Sequence, residues 1–155
     1  MINVNNRIFN LSKEDILCKL ENTEYKDRYK IFNTCLEQGA DRWRRGKKSE
    51  FQKSLVNDKL FYFAYIKFYL DNDNEYALVA GKSGSYTVIS SGCDLGFYEY
   101  PEKGPAKEWL HNNNKKWCQT EILIIRTIAK DKKISEKEAF AIEKFLVSSF
   151  GLLES

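Results

Sequence analysis

The chain has 155 residues, a net charge of only +3, 43% hydrophobic residues and 14% aromatic residues, which supports one domain with a packed core and excludes bulk disorder. No apolar run approaches the ~20 residues of a membrane helix, and the N-terminal MINVNNRIFNLSKED has no signal-peptide apolar stretch. Cys18, Cys35, Cys93 and Cys118 form no CxxC pair, and a single histidine argues against a Cys/His zinc site, so a cytoplasmic protein with reduced thiols and no membrane association is expected.

Ser12 and Asp15 stand three residues apart ahead of Ile16, Leu17 and Leu20, which predicts a helix opened by a capping box. Residues 25–37 place Tyr29, Ile31, Phe32, Cys35 and Leu36 near helical spacing, with Gly39 as a stop, and predict a second helix. Next comes the densest basic run, with Arg42, Arg44, Arg45, Lys47 and Lys48 around Trp43. Residues 25–60 hold ten Lys/Arg against five Asp/Glu. That local excess is larger than the charge of the whole chain and suits a polyanion. Trp43 either stacks on a base or anchors its loop to the core. A further short helix is predicted over residues 49–57.

Residues 61–85 read as a hairpin. An aromatic, β-rich strand runs to Leu70, Asp71-Asn72-Asp73-Asn74 supplies a turn, and Tyr76-Ala77-Leu78-Val79-Ala80 returns as a buried strand. Gly81 and Gly84 bound a basic step where backbone can approach a ligand closely. Loops are marked by Ser90-Ser91-Gly92-Cys93-Asp94 and Pro101-Glu102-Lys103-Gly104. Pro105 sits at the first position of a short helix that Asn112-Asn113-Asn114 ends. Ile122-Leu123-Ile124-Ile125 predicts a buried strand, and Ser135 with Glu138 opens a last helix that Gly151 closes. The expected fold class is α+β: a small three-stranded mixed sheet flanked by helices. Residues 1–60 form a helical basic extension and residues 61–155 an α/β domain, together one compact unit.

Gly81-Lys82-Ser83 invites a phosphate-binding loop, but that motif needs a glycine five residues before its Gly-Lys pair, and Tyr76 stands there. No G-x-S-x-G elbow surrounds any serine, which leaves His111 without a nucleophile of that kind.

The hairpin and the last helix resemble the GIY-YIG nuclease family. Phe63-Ala64-Tyr65 stands where the first motif would be, and Val79-Ala80-Gly81, followed by Lys82, stands where the second would be. The segment Glu138-Ala139-Phe140-Ala141-Ile142 is similar to the glutamate helix. The resemblance covers residues 61–150. It implies a Mg²⁺-dependent endonuclease acting on DNA, or RNA, in which Tyr65 accepts a proton. Tyr76 would assist, Lys82 would contact phosphate and Glu138 would hold the metal. The sequence departs from the family at Val79, where a tyrosine is expected. The family's arginine is also missing, and Lys107 with His111 keeps only the spacing. These departures leave a second reading open, the same fold with an eroded site that binds nucleic acid or protein. Arg42, Trp43, Arg44, Arg45, Lys47 and Lys48 would grip the polyanion in either case. Glu138 also fits a capping box with Ser135, and Tyr65 also fits an apolar strand face.

Overall fold

The computed structural model describes residues 4–58, 62–83 and 100–155. The predicted strand start at Phe61, Gly84, and the predicted loop around Cys93 lie outside these residues. Within them, a short 3-10 turn at Val4–Asn6 precedes α1 (Lys13–Leu20), β1 (Tyr29–Asn33), α2 (Lys47–Asn57), β2 (Phe63–Asp71) and β3 (Asn74–Lys82). After these come α3 (Pro105–Asn112), β4 (Lys116–Trp117), β5 (Glu121–Arg126), α4 (Lys132–Phe150) and β6 (Leu153–Glu154). No helix among the described residues is long and apolar enough to cross a membrane.

The α+β class holds, but the sheet has six strands rather than three. Its order is β1-β5-β2-β3-β6, with β4 also pairing β2. Every pairing is antiparallel except that of β3 with β6. The added strands come from segments that local pattern did not mark. Residues 25–37 hold a strand, not a helix: Tyr29 pairs with Ile125 and Asn33 with Glu121. The first sixty residues thus give the sheet an edge strand as well as two covering helices.

Local chemistry accounts for the helix ends. The Asp15 N–H donates to Ser12 Oγ at 3.1 Å and the Ser12 N–H donates back to Asp15 Oδ2 at 3.1 Å, the reciprocal box expected of that pair. The last helix starts three residues before the predicted point. Asp131 caps it by accepting the Ile134 N–H at 3.0 Å, while the Ser135 hydroxyl meets Thr127 Oγ1 at 2.7 Å. Gly151 ends it at φ +65°, where a residue without Cβ is least strained.

Alternation along β2 divides the core. Ala64, Ile66 and Phe68 face α1 and α4, packing with Ile16, Leu20, Ile142 and Leu146. Phe63 and Tyr65 face the opposite side, where Phe32, Phe51, Leu55 and Ile124 join them. Phe51 and Leu55 are fully buried, and each such side chain is worth about 2–3 kcal/mol. Tyr69, Trp109, Leu110 and Trp117 continue this second side beneath α3. The site residues are distributed by that same division.

Candidate functional site

Tyr65 pairs with Gly81 and Ala64 with Lys82 across the hairpin. Directly paired residues of an antiparallel ladder project to the same face and neighbours to opposite faces. Tyr65 therefore emerges on the α2/α3 side and Lys82 on the α4 side. Tyr65 is buried, and its hydroxyl shares a 3.1 Å hydrogen bond with Ser155 Oγ. Lys82 borders a separate hollow with Lys133, Glu136, Lys137 and Phe140. Tyr76 shares Tyr65's face but pairs with Tyr69, four residues along β2, roughly 13 Å away at strand rise. Its ring stacks on Tyr69 with centroids 5.5 Å apart.

Glu138 is committed elsewhere. Its Oε1 accepts from Arg28 Nη2 at 3.1 Å and from the Ile128 N–H at 2.5 Å. The Arg28 guanidinium also donates to the Arg126 carbonyl and lies over the Tyr25 ring at 5.0 Å. This cluster fastens α4 to the ends of β1 and β5. Lys107 and His111 are exposed on α3, and Lys107 Nζ donates to the Glu102 carbonyl at 2.7 Å. The structure thus does not gather Tyr65, Tyr76, Lys82, Lys107, His111 and Glu138 into one groove. Among the described residues, no group of three His, Cys, Asp or Glu side chains is placed to hold a metal ion.

The helical wheel favours Glu138 over Glu143 as the carboxylate turned towards the sheet, and the structure reverses that order. Glu143 is 5% exposed, and among the described residues it is the one buried acid. Burial pushes its pKa up, Glu154 pushes it further, and Lys144 and Lys82 oppose. A helical wheel places Glu143 to one side of the apolar stripe of α4. It is buried because β6 returns beside α4, an event that the helix's own sequence does not announce.

The basic run does assemble into a surface. Arg42, Trp43, Arg44 and Lys48 line a cleft of about 980 Å³. It is also lined by Lys115, Lys116 and Trp117, and by Tyr100 and Glu102. Local pattern marks only the Arg42–Lys48 segment. Five basic side chains line the cleft against two acids, Asp41 and Glu102. Lys115 is held by Asp71 at 3.0 Å, and exposed Arg44 by Glu37 at 3.2 Å. Arg45 is exposed, and Lys47 pairs with Glu50 at 3.0 Å beside a neighbouring hollow.

The floor is built from a reciprocal amide clasp. Gln38 Nε2 donates to the Trp117 carbonyl at 2.7 Å, and the Gln119 N–H donates to Gln38 Oε1 at 3.0 Å. Gln119 then accepts the Gly39 N–H at 2.6 Å and donates to the Ala40 carbonyl at 2.8 Å. Trp43 donates its indole N–H to the Thr34 carbonyl at 2.8 Å and packs near Phe51. That anchors the loop, while Lys48 Nζ lies 5.5 Å from its ring centroid. The walls are thus tied together by the buried Gln119 and the exposed Gln38, while Arg42, Lys48 and Lys116 stand in solvent.

No family model matches this chain, and neither do the curated proteins or the solved structures compared with it.

Proposed function

We propose that this protein is a nucleic-acid-binding module that grips a polynucleotide in the cleft between the Arg42–Lys48 loop and the α3–β4 turn. The carrying observation is that two basic segments, 42–48 and 115–116, line one cleft whose floor is tied by the Gln38–Gln119 hydrogen bonds. A polyanion is held by cations that release its counterions, and an aromatic wall adds contact with sugar or base. Side chains on a fixed floor lose less freedom on binding than side chains on a loose one. Fluorescence anisotropy with labelled single- and double-stranded oligonucleotides tests the reading. Binding should weaken steeply with salt, and an Arg42→Glu, Lys116→Glu double variant should lose at least tenfold in affinity. Unchanged affinity in that variant would remove the cleft from the account.

The Mg²⁺-dependent endonuclease implied by the resemblance is a second reading. Glu138 does not fit a metal ligand, since its oxygens already serve Arg28 and the Ile128 amide. What favours the reading is Glu143, a buried carboxylate with Lys82 within electrostatic reach. Among the described residues Glu143 belongs to no group of three metal-ligating side chains, so it enters this reading as an acid or base beside Lys82 rather than as a magnesium ligand. Plasmid nicking in Mg²⁺ separates the two readings. Cleavage by the wild type that Glu143→Gln abolishes selects the nuclease, and intact plasmid in every lane selects the binding module.

A further inference from the structure

Lys67 lies in the middle of β2 with none of its surface exposed. No carboxylate among the described residues comes within ion-pair distance of it. Among the described residues its ammonium donates to one acceptor, the Glu121 carbonyl at 3.2 Å, and it sits 5.5 Å from the Trp117 ring centroid. An ammonium carries three donors, so burial with a single carbonyl acceptor among the described residues leaves donors unused, and Glu75 and Glu121 offset the buried charge only from beyond ion-pair distance, a costly arrangement. Packing of the strand alone would be served as well by methionine.

Lys67 also lines a cavity of about 210 Å³ on the α2/α3 side of the sheet. Around it stand the Tyr65 and Ser155 hydroxyls, Lys103, and Pro105 and Ala106 at the start of α3. The N-cap of α3 is Gly104, which has no capping side chain, and Pro105 at the first position has no N–H, so the free amides of this helix end are those of Ala106 and Lys107 and its positive end adds only modestly to the lysine's field. Glu154 also borders the cavity, and its carboxylate is engaged by Lys144. Trp117 is shared with the larger basic cleft.

We propose that this cavity binds a phosphate monoester, with Lys67 as its buried counter-ion and the hydrogen-bonded Tyr65–Ser155 hydroxyl pair supplying one further donor. Donors come from Lys67 on the strand, from the Tyr65–Ser155 hydroxyl pair and from Lys103 ahead of α3, which suits terminal oxygens on a tetrahedral centre better than a planar carboxylate. The volume admits a phosphate and part of a sugar, and no base pair. The source is either free phosphate or the phosphorylated end of a strand lying in the adjoining cleft. The second source rests on the nucleic-acid reading above.

The test uses the full chain with three probes: inorganic phosphate by calorimetry, and a 3′-labelled 12-nucleotide strand carrying either a 5′-phosphate or a 5′-hydroxyl. Phosphate should bind, and the phosphorylated strand should bind about tenfold more tightly than its hydroxyl form. In Lys67→Met, and in the exposed variant Lys103→Ala, phosphate binding should weaken at least fivefold and the ratio between strands should fall toward one. Lys103→Ala keeps the test decisive if Lys67→Met fails to fold. Phosphate binding with no strand binding assigns the site to free phosphate and sinks the nucleic-acid reading alone. Equal binding of both strands with no phosphate binding overturns this inference and leaves the cleft standing. Phosphate binding unaltered in the variants also overturns it.

Discussion

The hydroxyl end of Tyr65 rests on the bare backbone of Gly81. A Cβ at Gly81 would come 2.5 Å from Tyr65 Cζ and Oη, and 2.7 Å from Ser155 Cβ. The glycine at the second family-like motif therefore has a packing reason of its own: it lets the phenol cross β3 and reach Ser155 on the far side. Gly81→Ala should destabilise by about 1–3 kcal/mol, the usual range for overpacking. Urea denaturation measures it, and pairing the change with Tyr65→Ala should give less than the sum of the two losses. Additive losses would mean that the two residues do not touch.

Glu138 is expected to behave as a structural tether. Glu138→Ala strips an acceptor from the Ile128 amide and the ion-pair partner from Arg28. Both side chains are mostly buried, at 13% and 21% exposed, so the loss should be about 1–3 kcal/mol. Oligonucleotide affinity in the same variant should stay within twofold of wild type. A stable variant with impaired cleavage or binding would instead return Glu138 to the site.

Local pattern foretold the elements whose signals lie within a few residues. The Ser12–Asp15 box, the hairpin turn at Asp71–Asn74 and the Gly151 stop stand as read. It misjudged β1 because that strand packs on both faces. Tyr29 and Ile31 pack toward α1 and α4 while Phe32 packs toward α2, so the apolar positions lose the two-residue alternation that distinguishes a strand from a helix. The site divides the same way. The Arg42–Lys48 wall was visible as a local charge run. Lys115, Lys116 and the Gln38–Gln119 clasp depend on a contact that only the folded sheet makes. Lys67 is not marked by local pattern because a lysine in an aromatic strand reads as an exposed edge, and Glu143 ranks behind Glu138 on the helical wheel because β6 buries it from outside its helix.

Within the cleft, charge and anchoring should separate experimentally. Arg42→Ala and Lys116→Ala should each weaken binding and lower the slope of log affinity against log salt by up to about one, as expected when one phosphate contact is removed. Trp43→Phe loses the indole bond to Thr34 and should lower stability by about 1 kcal/mol. A Trp43→Phe variant of full stability and lost affinity would make that ring a stacking platform rather than an anchor.

Lys67 makes the strongest statement about stability and pH. Burial pushes its pKa down to about 8, while Cys118, Glu75 and Glu121 pull it back toward the ordinary 10.5. Below pH 8 the amine is charged in both folded and unfolded chains, and the fold bears the full burial penalty. Between about 8 and 10.5 the folded protein gives up the proton that the unfolded chain retains. The unfolded chain then binds more protons, so unfolding free energy rises with pH across that window. Lys67→Met should be more stable than wild type at pH 7 by about 2–3 kcal/mol, and the gap should close as pH approaches 10.5. Cys118 and the buried tyrosines also titrate at high pH. The quantity to measure is therefore the wild-type-minus-variant difference in urea stability at pH 7, 8.5 and 10, in phosphate-free buffer. A difference that stays constant with pH would mean that Lys67 keeps its proton throughout, which requires an anionic partner for it in the folded chain.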